Sequence, residues 1–282
     1  MSRKWIKALR AIPLYIWVIL FTLLPLFLIV FYAFVEQKDG SFVFTLEHFK
    51  TAVTNMDYLK SMGLSFRHAA VSTILCLLLG YPLAYILAGL HERVRNFVAV
   101  LFLLPMWMNF LIRTYAMRAF IEKDGILSGL FVMIGIKDGT LIGTDAAIVI
   151  GMLYNFLPFM VLPIYTSLLK LDHRLIEAAQ DLGANTFTVF RRVVLPLTMP
   201  GIVSGITMVF MPAVTTFVIP QMLNNKVMTI GSLIEYKFKQ EVSATAVSGV
   251  GAALSMILMV LVIISMTIVN KFDKEGEGGG LI

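Results

Sequence analysis

The 282 residues include one cysteine, Cys76, and four histidines, and only 14% of positions carry a charged side chain. A lone cysteine closes no intrachain disulfide and builds no thiolate metal site, and Cys76 sits inside an apolar run where a small buried residue is expected. No GxxxxGK(S/T) phosphate loop occurs, so the chain is not expected to bind ATP or Mg or to hydrolyse ATP itself. His48, His68, His91 and His173 fall in loops or at the ends of apolar runs, and neither GxSG nor paired acids lie inside one. An intramembrane enzyme would lack its nucleophile or acid pair. A secondary transporter would lack the ion-coupling carboxylate it needs within the membrane. The formal charge is +6, but no long basic face is interleaved with aromatics, so no nucleic-acid partner is expected.

What the chain has in abundance is apolar sequence. Hydrophobic residues fill 59% of positions, too many to leave a water-facing surface for a soluble fold. They come in runs of about twenty or more, without strand-like alternation, as needed to cross roughly 30 Å of hydrocarbon as helix. The fold class is therefore all-α, with six spans expected at about 13–35, 65–90, 97–121, 145–169, 200–220 and 247–270. The basic start (Arg3, Lys4, Lys7, Arg10) resembles a signal peptide. The run after it is too long for an h-region and has no A-x-A site, so it is expected to remain as the first span. The organisation expected is an N-terminal segment 1–12, one transmembrane domain 13–270, and a glycine-rich tail 271–282 without fixed structure.

An even number of spans puts both termini on one side. Lys and Arg crowd the N-terminus, the short link His91 to Asn96, the segment Lys170 to Met199 and the tail, and by density these are the cytoplasmic parts. Pro25, Gly80 with Pro82, Pro105, Pro158 with Pro163, and Pro212 with Pro220 interrupt the spans. Each frees backbone groups that a neighbouring helix or a wet cavity must satisfy, which suits a transporter, although proline is also commoner in membrane helices generally. Arg113 and Arg118 are the permanent charges placed well within a span. At about 1.5 Å per residue from Phe97, Arg113 lies roughly 24 Å along the helix. Snorkelling to the outer interface is expected, with an electrostatic gate or a contact to an external protein as the functional alternative.

Between the fourth and fifth spans, residues 171–199 carry helix punctuation instead of loop composition. Asp172 is placed to cap a helix from His173 to Leu182, and Gly183 can take the left-handed C′ conformation that ends it. Leu175, Ile176, Ala179 and Leu182 form one apolar face. Asn185 offers a cap for a second helix, Thr186 to Val194, ended by Leu195 and Pro196. A helix lying on lipid headgroups would carry a basic rim, whereas this polar face carries Glu177 and Asp181.

Glu177, Ala178 and Ala179, then Gly183, then nine residues before Val193, Leu195 and Pro196, resemble the EAA loop of binding-protein-dependent ABC permeases. The six-span layout is similar to that of the type I importer permeases. Leu78 to Ala88, Leu104 to Phe120, Leu153 to Leu168 and Val193 to Gly205 look most like the first permease of spermidine/putrescine systems. This resemblance covers about four fifths of the chain. It implies a bacterial inner-membrane permease that contributes half of a translocation path. The loop would act as a coupling helix in a cleft of a dimeric ATP-binding subunit, which would hold the ATP and Mg. A second, homologous permease and an extracytoplasmic polyamine-binding protein would complete the system. Sulfate, molybdate and ferric-ion permeases share the EAA loop and stand as alternatives. For a polycation, path-lining candidates are Trp107, Asn109, Tyr154, Asn155, Glu235 and Tyr236, each of which packing or an interfacial aromatic belt also explains.

Overall fold

The computed structural model describes residues 12–38, 41–123, 125–133, 135, 140–241 and 249–278. In chain order the elements are α1 (Ile12–Phe34), β1 (Val35–Lys38), β2 (Ser41–Phe44), α2 (Glu47–Thr54), α3 (Met56–Gly89), α4 (Glu92–Trp107), α5 (Phe110–Ile121) and α6 (Ser128–Met133). There follow α7 (Asp145–Leu169), α8 (His173–Asp181), α9 (Thr186–Leu197), α10 (Met199–Thr215), α11 (Val218–Leu223), α12 (Ile230–Glu241) and α13 (Gly249–Gly278). Helices α1, α3, α7 and the part of α13 to Val269 are each long and apolar enough to cross a membrane, and the pairs α4–α5 and α9–α10 bring the number to 6 if each bent pair is one span. The all-α membrane architecture expected from the apolar runs is the one observed.

Proline sets where the helices deviate. Its ring would strike the carbonyl four residues back, and its nitrogen has no hydrogen to donate. Upstream of Pro25 the helix widens into a π turn, Ile19–Leu23, with Leu24 N–H donating to the Ile19 carbonyl. The same device recurs two residues ahead of Pro196, where Phe190–Val194 is a π turn closed by Leu195 N–H on Phe190 O. The second short helix therefore does not stop at Val194 as the proline suggests. It continues through Pro196 to Leu197 and meets α10 at 63°.

The third predicted span departs further from expectation. Residues 97–121 do not form one rod: α4 and α5 meet at 98° across Met108 and Asn109. Pro105 weakens the last turn of α4, Met108 is extended, and the Asn109 side chain restarts the helix by accepting Leu111 N–H at 2.8 Å. The stretch 271–278, expected to lack structure, continues α13 as helix, while residues 1–11 and 279–282 lie outside the described residues.

The described residues fall into two compact units, one drawn from 1–60 with 233–261 and one from 61–232 with 262–282. In the first, α1 leads into a hairpin with Val35 opposite Phe44 and Lys38 opposite Ser41, where the sequence pattern predicts only a connection between helices. Phe34 stacks on Phe44 at 5.7 Å and meets Phe49 of α2 at 4.9 Å, which holds the hairpin over the end of α1. In the second unit, α7 lies along α10 at close range, with α5 and α11 also against α7 and α3 reaching it through Ser72 on the Met152 sulfur at 3.4 Å. Gly201 and Gly205, one turn apart on α10, make that approach possible. A Cβ on Gly201 would lie 2.6 Å from the Pro163 carbonyl oxygen, and one on Gly205 would lie 2.8 Å from the Met160 sulfur.

Gly201→Ala is expected to destabilise the detergent-solubilised protein by about 1–3 kcal/mol, since the backbone carbonyl it meets cannot retreat. On α3, a methyl added at Gly63 would meet nothing within 4 Å, and Gly63→Ala should be neutral or stabilising by up to about 1 kcal/mol. Thermal melts of both variants check this, and equal shifts would contradict the close approach of α10 to α7.

Candidate functional site

The loop between α7 and α10 is built by local hydrogen bonds. The Asp172 carboxylate accepts Arg174 N–H at 3.0 Å and starts α8. At the other end Gly183 adopts φ +81°, its N–H donates to Gln180 O at 2.8 Å, and Ala184 N–H donates to Ala179 O at 3.1 Å. This pair of bonds is a Schellman closure, which needs a residue free of a Cβ penalty at the left-handed position. Asn185 then accepts Thr188 N–H at 2.8 Å and starts α9. The three cap residues expected from the sequence all occupy the expected places.

No residue of α8 is buried. Glu177 and Ala178 face outward, Ala179 is half-buried, and Gly183 is exposed. Leu182 is 89% exposed and Phe187 is 70% exposed, so the turn between the two helices presents apolar side chains to the surroundings. Beneath it a hollow of about 570 Å³ is lined by Ala179, Gly183, Asn185, Val189 and Arg192 among others. Leu195 is half-buried and Pro196 exposed, both on the membrane-ward end of α9.

Residues that sequence reasoning does not single out tie α9 to the end of α3. The Phe190 ring packs edge-on against Tyr81 at 5.6 Å and Tyr85 at 6.3 Å. The buried Thr198 hydroxyl lies 3.0 Å from the Tyr81 hydroxyl and also donates to Val194 O at 2.9 Å. Packed rings and a hydroxyl pair thus join the loop to α3. The i, i+4 spacing of Tyr81 and Tyr85 is the signal that could have found them. A second tie without a local signal is the ion pair of Arg67 on α3 with Asp145 at the start of α7.

The candidate path residues fare differently. Trp107 is 83% exposed at the α4–α5 elbow, while the Asn109 side chain serves as the cap described above. Tyr154 is 40% exposed. Its neighbour Asn155 is fully buried and committed to a network: it accepts Arg113 Nε–H at 2.8 Å and donates to Gly151 O at 2.9 Å. Glu235 and Tyr236 lie on α12 in the first unit, where Glu235 pairs with Lys239 at 2.6 Å and Tyr236 OH accepts from Gln240 at 2.5 Å. The structure therefore brings Trp107 and Asn109 together at one elbow, and assigns Asn155 to internal bonding.

Arg113 does not snorkel. It is 4% exposed, and besides Asn155 Oδ1 its guanidinium donates to Pro105 O at 3.2 Å and to Asn155 O at 3.4 Å. A straight-helix count misplaces it because the chain changes direction at Asn109. All its acceptors are neutral, and among the described residues it makes no ion pair. Arg118, by contrast, is partly exposed and reaches Glu122 at 3.4 Å.

A family model described as binding-protein-dependent transport system inner membrane component matches residues 80–275. The chain is 37% identical over 270 residues to the spermidine/putrescine transport system permease protein PotB of Haemophilus influenzae, covering 93% of each protein. It is 38% identical over 228 residues to the protein of that name from Escherichia coli, covering 79% of this chain and 82% of the relative. A solved bacterial alginate ABC transporter, in complex with alginate pentasaccharide-bound periplasmic protein, superposes with a TM-score of 0.79 at 16% identity, over 97% of this chain and 95% of that one. The fold is that of an ABC importer permease.

Replacing Asn155 by Leu leaves a buried guanidinium short of acceptors and is expected to cost roughly 3 kcal/mol or more. Removing both partners, in Arg113→Met with Asn155→Leu, should recover part of that loss. Melting temperatures of the two single variants and the double variant measure the coupling, and strict additivity would argue against the clamp.

Proposed function

The chain belongs to the family of binding-protein-dependent transport system inner membrane components, and on that premise we propose that it passes spermidine and putrescine inward as one of two permeases of an ATP-driven importer. The observation that carries the mechanism is the α8–α9 loop. It is fixed at both ends by caps and a Schellman turn, yet buries none of α8 and exposes Leu182 and Phe187. A helix held this firmly with its apolar side chains uncovered is suited to dock into a partner. In this reading the partner is the cleft of a separate dimeric ATPase that binds the ATP and Mg, and the loop lies on the cytoplasmic side together with both termini.

Glu177 faces outward and is available to a basic residue of the ATPase, and Ala178 leaves room for close backbone approach. Closure of the ATPase would push α8, and the Phe190–Tyr81 packing and Thr198–Tyr81 contact would pass the displacement to α3. A second, related permease would supply the other half of the path, and an external polyamine-binding protein would deliver cargo. The polyamine reading stands ahead of sulfate, molybdate or ferric ion because the relatives named for spermidine/putrescine match along most of the chain. Exposed Trp107 and Tyr154 offer π faces of the kind that hold ammonium groups.

Glu177→Lys and Gly183→Asp are each expected to leave the protein folded in the membrane while lowering spermidine uptake and substrate-stimulated ATP hydrolysis of the assembled complex at least about tenfold, equivalent to ~1.4 kcal/mol of lost coupling. Gly183→Asp acts through its left-handed φ of +81°. Normal uptake in both variants would reject the coupling role. Uptake of labelled spermidine, putrescine and sulfate, in cells lacking other polyamine importers, with and without this chain, tests the cargo. Sulfate uptake dependent on the chain, without polyamine uptake, would reject it.

A further inference from the structure

A second cavity, of about 270 Å³, opens where the last turns of α3 and α7 meet the first turn of α4 and the start of α8. Its position is set by the ends of two membrane helices, Gly89 and Leu169, so it lies at the level where hydrocarbon gives way to headgroups. Its lining is apolar at Leu168, Leu169, Ile176 and Val194. The same lining includes Arg95, His173 and the Tyr85 ring.

Arg95 is the unusual member. Its Nε is shielded from solvent and has no hydrogen-bond partner, and among the described residues its guanidinium makes neither an ion pair nor a side-chain hydrogen bond. Acids are present on this face, Glu92, Asp172, Glu177 and Asp181, but none of them pairs with Arg95. A shielded Nε–H without a partner costs free energy unless an acceptor arrives from outside.

We propose that this cavity holds the phosphate headgroup of an anionic phospholipid, with Arg95 and the His173 imidazole as donors and an acyl chain laid along Leu168, Leu169 and Ile176. Both chemistries the cavity offers are used: a planar fork matched to phosphate oxygens, and an apolar wall at acyl depth. An inorganic anion would leave the wall uncovered, and a soluble acidic peptide would have to reach into the interface. The lipid would bridge α3, α7 and α8, so occupancy of the cavity bears on how firmly the exposed loop is seated. Nothing in this site depends on the identity of the transported cargo.

The test uses the purified full-length chain with its co-expressed partner subunits, in nanodiscs of phosphatidylglycerol and phosphatidylcholine in equal parts, with retained lipid counted by native mass spectrometry. Wild type is expected to retain phosphatidylglycerol in preference to phosphatidylcholine. Arg95→Gln should weaken that preference about fivefold, the effect of one basic side chain at an anionic surface. Arg95→Lys, which keeps the charge but not the planar fork, should recover the preference only in part. Ala88→Trp, which fills the cavity without changing its charge, should lose retention altogether. Equal retention in wild type and Arg95→Gln would overturn the proposal. So would displacement of the bound species by free inorganic phosphate, which would mark a simple anion site. Release of the ATPase from Arg95→Gln with lipid retention unchanged would instead assign the cavity to an acidic side chain of that subunit, and would overturn it too.

Discussion

Within hydrocarbon no water is available to a backbone carbonyl or amide, so every break in a helix has to be answered from within the protein. Proline makes those breaks here, and each break followed above has a named answer. Ahead of Pro25 and Pro196 the helix widens by one residue and keeps its bonds as π turns. At the α4–α5 elbow the Pro105 carbonyl receives Arg113 and Met108 N–H. Where α9 turns into α10, the Thr198 hydroxyl bonds back to Val194 O. These bonds let the chain bend by 98° and 63° with those backbone groups paired, and the bends in turn project the α8–α9 loop and place Trp107 at an elbow.

The contrast between α7–α10 and α8 carries the mechanical logic. Gly201 and Gly205 let α10 lie close against α7, meeting the Pro163 and Met160 carbonyls together with the Ser167 and Met160 side chains, a tight contact that resists sliding. Helix α8 has the opposite character, bounded by local bonds and lacking any buried residue. A rigid pair of spans joined to a free-standing, capped helix suits the transfer of a push from outside the membrane. The ring packing of Phe190 on Tyr81 and Tyr85 joins the loop to the end of α3.

The caps of the loop are legible in the sequence to the residue, although its second helix runs on past Val194 to Leu197. Asp172, Gly183 and Asn185 each act on backbone atoms no more than five positions away, so composition and spacing suffice. The hairpin is two four-residue strands, 35–38 and 41–44, too short to stand out beside apolar runs of twenty. Arg113 escapes a local reading for a definite reason: its acceptor Asn155 is 42 residues away, and its depth depends on an elbow that one proline does not fix. Asn155 reads as a path residue on the same ground, since nothing local marks which face of α7 it occupies.

The sequence alone determined that this is a helical membrane protein with a capped two-helix loop, because hydrophobic run length and cap chemistry are one-dimensional properties. Only the tertiary structure decided that the third span is broken, that Arg113 is clamped inside, that two glycines bring α7 close to α10, and that the shielded Arg95 Nε has no partner among the described residues. Those outcomes depend on which distant groups meet, and a meeting across tens of residues is fixed by packing geometry that no local pattern encodes.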